Sequence, residues 1–179
     1  DFHAFDRFAR GAMGLAGARA RPFHVWLEGW ELRAVDDDRD FPVRLRAADG
    51  EVAIDLFLEA GKPPVLQGID GLSPKGPEPG NASYYYAHTR MPTRGTIRIG
   101  EAKYTVHGNS WMDREWGTSA LGEDQEGWDW FSIQLSDGAE VMFWQLRTRG
   151  AGAARFSEGA VVEPDGARRY VHRDQARLE

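Results

Sequence analysis

Apolar and polar residues alternate with a period of two through most of the chain, which is the pattern of half-buried β-strands. Phe23, Val25 and Leu27 alternate with His24, Trp26, Glu28 and Trp30, and Val52, Ile54, Leu56 and Leu58 alternate with Asp55 and Glu59. The breaks Asp36-Asp37-Asp38 and Ala48-Asp49-Gly50 separate these runs from one another and from Phe41 to Ala47, so a meander of antiparallel strands is expected. Gly61 to Asn81 is rich in Gly and Pro and predicts a long irregular connection. Tyr84, Tyr85 and Tyr86, followed by His88, open a further strand, with a turn expected at Met91-Pro92-Thr93 before Gly95 to Gly100. Phe156 to Val162 and Arg168 to His172, around Pro164-Asp165-Gly166, predict a last hairpin. Only the start breaks the pattern: Phe2, Phe5, Phe8, Ala9 and Ala12 recur at helical spacing and predict a short helix over Phe2 to Ala12, weakened by Gly11 and Gly14.

Five of the seven tryptophans (Trp111, Trp116, Trp128, Trp130 and Trp144) fall between Val106 and Arg147, with Asp113, Glu115 and Asp129 beside them. WDWFSIQL and AEVMFWQL flank Ser136-Asp137-Gly138, and Asp-Gly is a strong hairpin turn. A two-residue loop at Asp137-Gly138 sets Trp130 opposite Gln145 and Trp128 opposite Arg147. One face then carries Phe131, Ile133, Leu135, Met142, Trp144 and Leu146 and reads as buried. The other carries Trp128, Trp130, Ser132, Gln134, Val141, Phe143, Gln145 and Arg147, a mixed face that suits either a ligand cavity or a sheet surface covered by a second domain.

Read as a strand, Ser110 to Trp116 places Trp111, Asp113 and Glu115 on one face. A carboxyl in an aromatic wall has its charged form disfavoured and can keep a proton near neutral pH, as a general acid must. The plainer alternative is an ion pair closing the strand end, Asp113 with Arg114 or Glu115 with Arg147.

Composition narrows the function classes. A net charge of -6 and the lack of clustered Lys and Arg argue against a nucleic-acid surface. The absence of cysteine excludes disulfides and thiolate metal sites. No apolar stretch reaches the ~20 residues of a transmembrane helix. The aspartate run at Asp36 to Asp38 lacks the spaced ligands of a calcium loop, Lys75 lacks the Walker spacing of a phosphate loop, and His88 and His107 have no paired spacing for a metal. No metal or other cofactor is expected.

The runs GNSWMDREWG and GWDWFSIQLSDGAEVMFWQLR, together with VLQGIDGLSPKG and ASYYYAHTRMPTRGTIRIG, resemble the lipocalin-like AttH family of secreted proteins, related to hydroxyneurosporene synthase (carotenoid 1,2-hydratase). The resemblance implies an all-β fold of lipocalin-like barrels in tandem and an exported protein. A barrel of this type takes ~8 strands to close, and about five are expected on either side of Pro92 to Gly95. Residues 1–93 are therefore expected to be the C-terminal half of a first barrel and 94–179 the N-terminal half of a second.

The expected function is binding of a small apolar ligand, lipid or isoprenoid, by Trp111, Trp116, Trp128, Trp130, Phe143, Gln145 and Arg147. The alternative is a cofactor-free hydratase. In it Asp113 protonates an isoprenoid double bond, Trp111, Trp116 or Trp128 stabilises the carbocation, and Glu115 or Asp129 holds the water. A third possibility makes the tryptophans a structural wedge between barrels with no ligand.

Overall fold

The computed structural model describes residues 4, 6–117, 121–150 and 157–176. Every strand ladder with an assigned register is antiparallel, and the chain is all-β as expected. In chain order the strands are β1 (Ala16–Arg19), β2 (His24–Leu27), β3 (Trp30–Ala34), β4 (Val43–Asp49), β5 (Val52–Leu58), β6 (Val65–Leu66) and β7 (Leu72–Pro74). They continue with β8 (Ala82–Ile99), β9 (Ala102–Gly117), β10 (Gln125–Gln134), β11 (Glu140–Thr148), β12 (Glu158–Val162) and β13 (Arg168–His172).

The chain divides into two compact units, residues 1–60 with 91–110, and residues 61–90 with 111–179. In the first, β1 to β5 form an antiparallel meander. Its β4 and β5 match expected strands, whereas the single run expected over Phe23 to Trp30 turns at Glu28 (φ 52°) into β2 and β3, and β1 was not expected. The β5 strand pairs with the far end of β8, Leu58 opposite Thr93 and Val52 opposite Ile99. Gly95 lies where this ladder is tightest: a Cβ there would come within 2.1 Å of the Asp55 carbonyl oxygen. The Arg44 guanidinium grips the Asp55 carboxylate through two bonds of 2.7 and 2.6 Å. In the second unit β6 and β7 pair with the near end of β8, and β10-β11-β12-β13 form a four-stranded sheet. Tyr85, Met142, Trp144 and Leu146 pack into its core, with Trp111 against them.

The structure departs from several sequence expectations. No helix forms among the described residues of the N-terminal segment, and residues 1–3 and 5 lie outside them. Met13 and Gly14, just past the expected end at Ala12, adopt φ values of 55° and 74° and turn the chain toward β1. Phe8 is 91% exposed and so adds no buried anchor, and a short helix without tertiary packing is marginal. The Gly/Pro-rich connection is partly regular: β6 and β7 are too short to show a period, yet they set Val65 opposite Ala87 and Leu72 opposite Tyr84.

The turn expected at Met91-Pro92-Thr93 is also absent, and this stretch lies inside β8. Proline cannot donate to a ladder, but its carbonyl still accepts, here from the Glu59 N–H at 2.9 Å, so the strand runs on. The 93/94 position is thus the middle of a continuous strand, and each unit is assembled from two separate stretches of chain. Among the described residues, no ladder joins β1 to β6 or β10 to β13.

The central hairpin forms with its register moved by one residue. Leu135 N–H bonds the Ala139 carbonyl at 2.8 Å, and Ser136, Asp137 and Gly138 make a three-residue loop. Gly138 takes φ 91°, a left-handed value that glycine adopts without strain. Trp130 consequently faces Trp144, Trp128 faces Leu146 and Phe131 faces Phe143. Phe131, Ile133 and Leu135, expected to be buried with Trp144, are 40–46% exposed on the opposite face.

Candidate functional site

The corrected register gathers the aromatic residues in the second unit. Along β8 burial alternates, so Ser83 and Tyr85 point inward while Tyr84 is exposed. On the hairpin, Trp128, Trp130, Trp144 and Leu146 share one face. These side chains surround a cavity of about 360 Å³, to which Lys75, Glu115, Trp116 and Leu121 also contribute. That is room for a small apolar molecule.

Two polar systems meet at this cavity. In the first, Asp113 Oδ1 accepts from the Tyr85 hydroxyl and from Trp111 Nε1, each at 3.0 Å, and Trp130 Nε1 donates to the same Tyr85 oxygen at 3.2 Å. Burial pushes the Asp113 carboxyl above its usual range, the bonds from Trp111 and Tyr85 pull against that, and Glu115 adds to the rise. Burial also raises the Tyr85 hydroxyl far above the usual phenol range, and Asp113 adds to it, so Tyr85 stays protonated. With two donors on Oδ1, Oδ2 is the oxygen that takes up a proton.

In the second system the Lys75 ammonium lies 2.8 Å from Glu115 Oε1, 3.9 Å from the centre of the Trp144 ring and 5.7 Å from that of Tyr85. Ser83 Oγ donates to Glu115 Oε1 at 2.5 Å. A cation against two π faces with a carboxylate beside it forms a neutral, hydrogen-bonding end to an aromatic chamber.

The residues singled out from sequence divide into three groups. Trp116, Trp128, Trp130 and Glu115 line the cavity, and the Trp116 ring also meets Tyr84 and Tyr86 at 5.8 and 6.1 Å. Asp113 and Trp111 stand one layer behind, reaching it through Tyr85 and Trp130: Asp113 by hydrogen bond, Trp111 by edge-on contact with Trp130 at 6.4 Å. Asp129, Phe143, Gln145 and Arg147 lie on the far face of the hairpin, where Arg147 pairs with Asp129 at 2.5 Å and Asp129 is opposite Gln145.

Neither ion pair of the plainer alternative forms: Asp113 accepts from Tyr85 and Trp111 rather than pairing with Arg114, Glu115 pairs with Lys75, and Arg147 with Asp129. Lys75, Ser83 and Tyr85 were not expected at the site. The triple tyrosine marks a strand in the sequence, but only the β8 pleat selects Tyr85 as the inward member.

The other motifs place no ligand. Burial lowers the affinity of His88 for a proton, and the ring stands edge-on to Tyr86 at 5.9 Å. His107 lies on β9 in the other unit. Among the described residues no group of three or more His, Asp and Glu side chains is placed to hold a metal, and no helix is long and apolar enough to cross a membrane.

A family model described as AttH-like matches residues 1–179. The crystal structure of a protein from Nitrosomonas europaea, provisionally described as AttH, is 30% identical with a TM-score of 0.83, covering 93% of this chain and 50% of that one. Kievitone hydratase from Nectria haematococca is similar at 15% identity and a TM-score of 0.65, over 83% of this chain and 45% of its own, a likeness of fold alone. This chain therefore spans about half the length of these solved structures. No curated protein matches it.

Proposed function

Taking as premise that the chain belongs to the AttH-like family, we propose that it binds a small apolar ligand of lipid or isoprenoid type in the tryptophan-lined cavity. The observation that carries this reading is the convergence of Trp128, Trp130, Trp144, Tyr85 and Leu146 on about 360 Å³, with the polar pair Lys75 and Glu115 at one side. A packed core would fill such a volume, since protein interiors leave few voids larger than a water molecule. Burying an apolar ligand there gains roughly 25 cal/mol for each Å² removed from water. Titration with retinoids, carotenoids and long-chain lipids, read by tryptophan fluorescence and by the melting temperature, tests it. Quenching and a higher melting temperature are expected. If neither signal moves with any of them, the tryptophans have a structural role only.

A second reading, hydration of an isoprenoid double bond, is favoured by one specific arrangement, the Asp113 carboxyl held above its usual range behind the Tyr85 hydroxyl. In this reading Asp113 is the source of the proton that adds to the alkene and is left as a carboxylate, which the proton released by the added water restores. Trp128 and Trp130 face the resulting cation, and Glu115 orients the water that adds to it. The named activity of kievitone hydratase is compatible with it. Loss of a general acid costs ~100- to 10,000-fold in rate, so an Asp113→Asn variant that keeps full turnover on an accepted substrate removes this mechanism.

A further inference from the structure

Glu158, on β12, is 4% exposed and is not among the residues that line the tryptophan-rich cavity. Its Oε1 accepts from Ser73 Oγ at 2.6 Å, and its Oε2 accepts from the Tyr170 hydroxyl. Ser73, fully buried, accepts in turn from Lys75 Nζ at 3.0 Å, and Lys75 meets Glu115 at 2.8 Å. A row of hydrogen bonds thus joins a second cavity of about 550 Å³, lined by Glu158, Tyr170 and His172, to the polar side of the first. The directions along this row are fixed by donor counting. A serine hydroxyl has one proton, and Ser73 gives it to Glu158, so only a lone pair faces Lys75. The ammonium has three N–H groups: one goes to Ser73, one to Glu115, and among the described residues the third, beside the Trp144 ring, has no oxygen to meet.

We propose that Glu158 is a positioning residue for the ligand site: through Ser73 it holds the Lys75 ammonium so that the remaining N–H meets an oxygen at the end of an apolar ligand. The oxygen belongs to a neutral group such as a hydroxyl, because the Glu115 carboxylate beside Lys75 already balances the cation and repels an anionic head. This rests on the binding reading above and adds to it a selectivity that no cavity-lining residue sets alone.

The test is a matched series of dodecane, 1-dodecanol and dodecanoate at neutral pH, titrated against the whole chain by tryptophan fluorescence, with thermal unfolding showing that each variant is folded. The wild-type protein is expected to bind dodecanol about tenfold more tightly than dodecane, the worth of one hydrogen bond to a charged donor, and dodecanoate more weakly than dodecanol. Ser73→Ala removes the link and Glu158→Gln removes the charge behind it at constant shape. Both are expected to bring the dodecanol to dodecane ratio toward one while dodecane binding stays unchanged, and Ser73→Ala serves alone if Glu158→Gln does not fold. The proposal is overturned if wild-type protein does not distinguish dodecanol from dodecane, if dodecanoate binds as well as dodecanol, or if the variants weaken both neutral ligands equally. Failure of every member of the series to bind overturns the binding reading itself, and the proposal with it.

Discussion

The Tyr85 hydroxyl lies 3.0 Å from Asp113 Oδ1 and donates to a carboxyl that burial has raised above its usual range. The folded chain therefore holds this proton to higher pH than the unfolded chain, whose aspartates titrate near ~3.9. Stability from this group is greatest in acid and is lost as pH rises from that unfolded value through the raised folded one, leaving a cost at neutral pH. Asp113→Asn keeps an acceptor for Tyr85 and Trp111 without the charge. It is expected to raise the melting temperature at pH 7 by on the order of 1–3 °C, with the gain shrinking toward pH 4. Thermal unfolding followed by circular dichroism at the two pH values checks this, and a melting temperature that drops equally at both counts against it.

The hairpin register separates binding from stability on neighbouring strands. Trp128 is 59% exposed on the cavity face, whereas Phe143 is 7% exposed on the other. Trp128→Ala is expected to cost little stability and to weaken ligand binding by tenfold or more. Phe143→Ala is expected to cost ~3–5 kcal/mol of folding free energy with no selective loss of ligand. Urea unfolding and ligand titration on both variants make the comparison, and the reverse assignment would refute the observed register.

Glu140 is completely buried and accepts from Lys62 at 2.8 Å, from Arg90 at 2.5 Å and from Thr89 at 3.2 Å. Lys62 also donates to the carbonyls of Gly138 and Glu163, so this ion cluster anchors two hairpin turns. Removing the carboxylate would strand two cations beside it. Glu140→Ala is expected to destabilise the chain by ~3–5 kcal/mol, seen as a large fall in the urea midpoint. A change under 1 kcal/mol would show that the cluster is solvated in practice.

The features legible in the sequence were those set by short-range periodicity. Alternation located most of the longer strands and the two later hairpins, though not β1, β6, β7 or the continuity of β8, and it placed Trp111, Asp113 and Glu115 on one side of β9, where they face the residues around Tyr85. What escaped was set by longer range or by one residue of loop geometry. Lys75 sits in a Gly/Pro-rich stretch with no period, and its partner Glu115 is brought near only by the pairing of β7 and β9 with β8. Asp137-Gly138 marks the turn, but the same dipeptide serves a two-residue loop or a three-residue loop with a bulge. The second form occurs here, and it moved Phe143, Gln145 and Arg147 from the expected site to its reverse side.

The Ser136-Asp137-Gly138 loop thereby acts as a phase setting for the ligand chamber. β11 is locked from its other edge, where Met142 faces Ala160 and Trp144 faces Glu158, so its inward side cannot turn over. β10 is held at that edge only by β11 among the described pairings, and its orientation is inherited through the loop. Shortening the loop by one residue would rotate β10 by half a pleat, carry Trp128 and Trp130 to the solvent side and turn Phe131 and Ile133 inward. The chamber's chemistry is thus encoded in the spacing of two strands as much as in the residues on them, and a deletion that touches no lining side chain would replace two of its indoles, Trp128 and Trp130, with plain hydrocarbon.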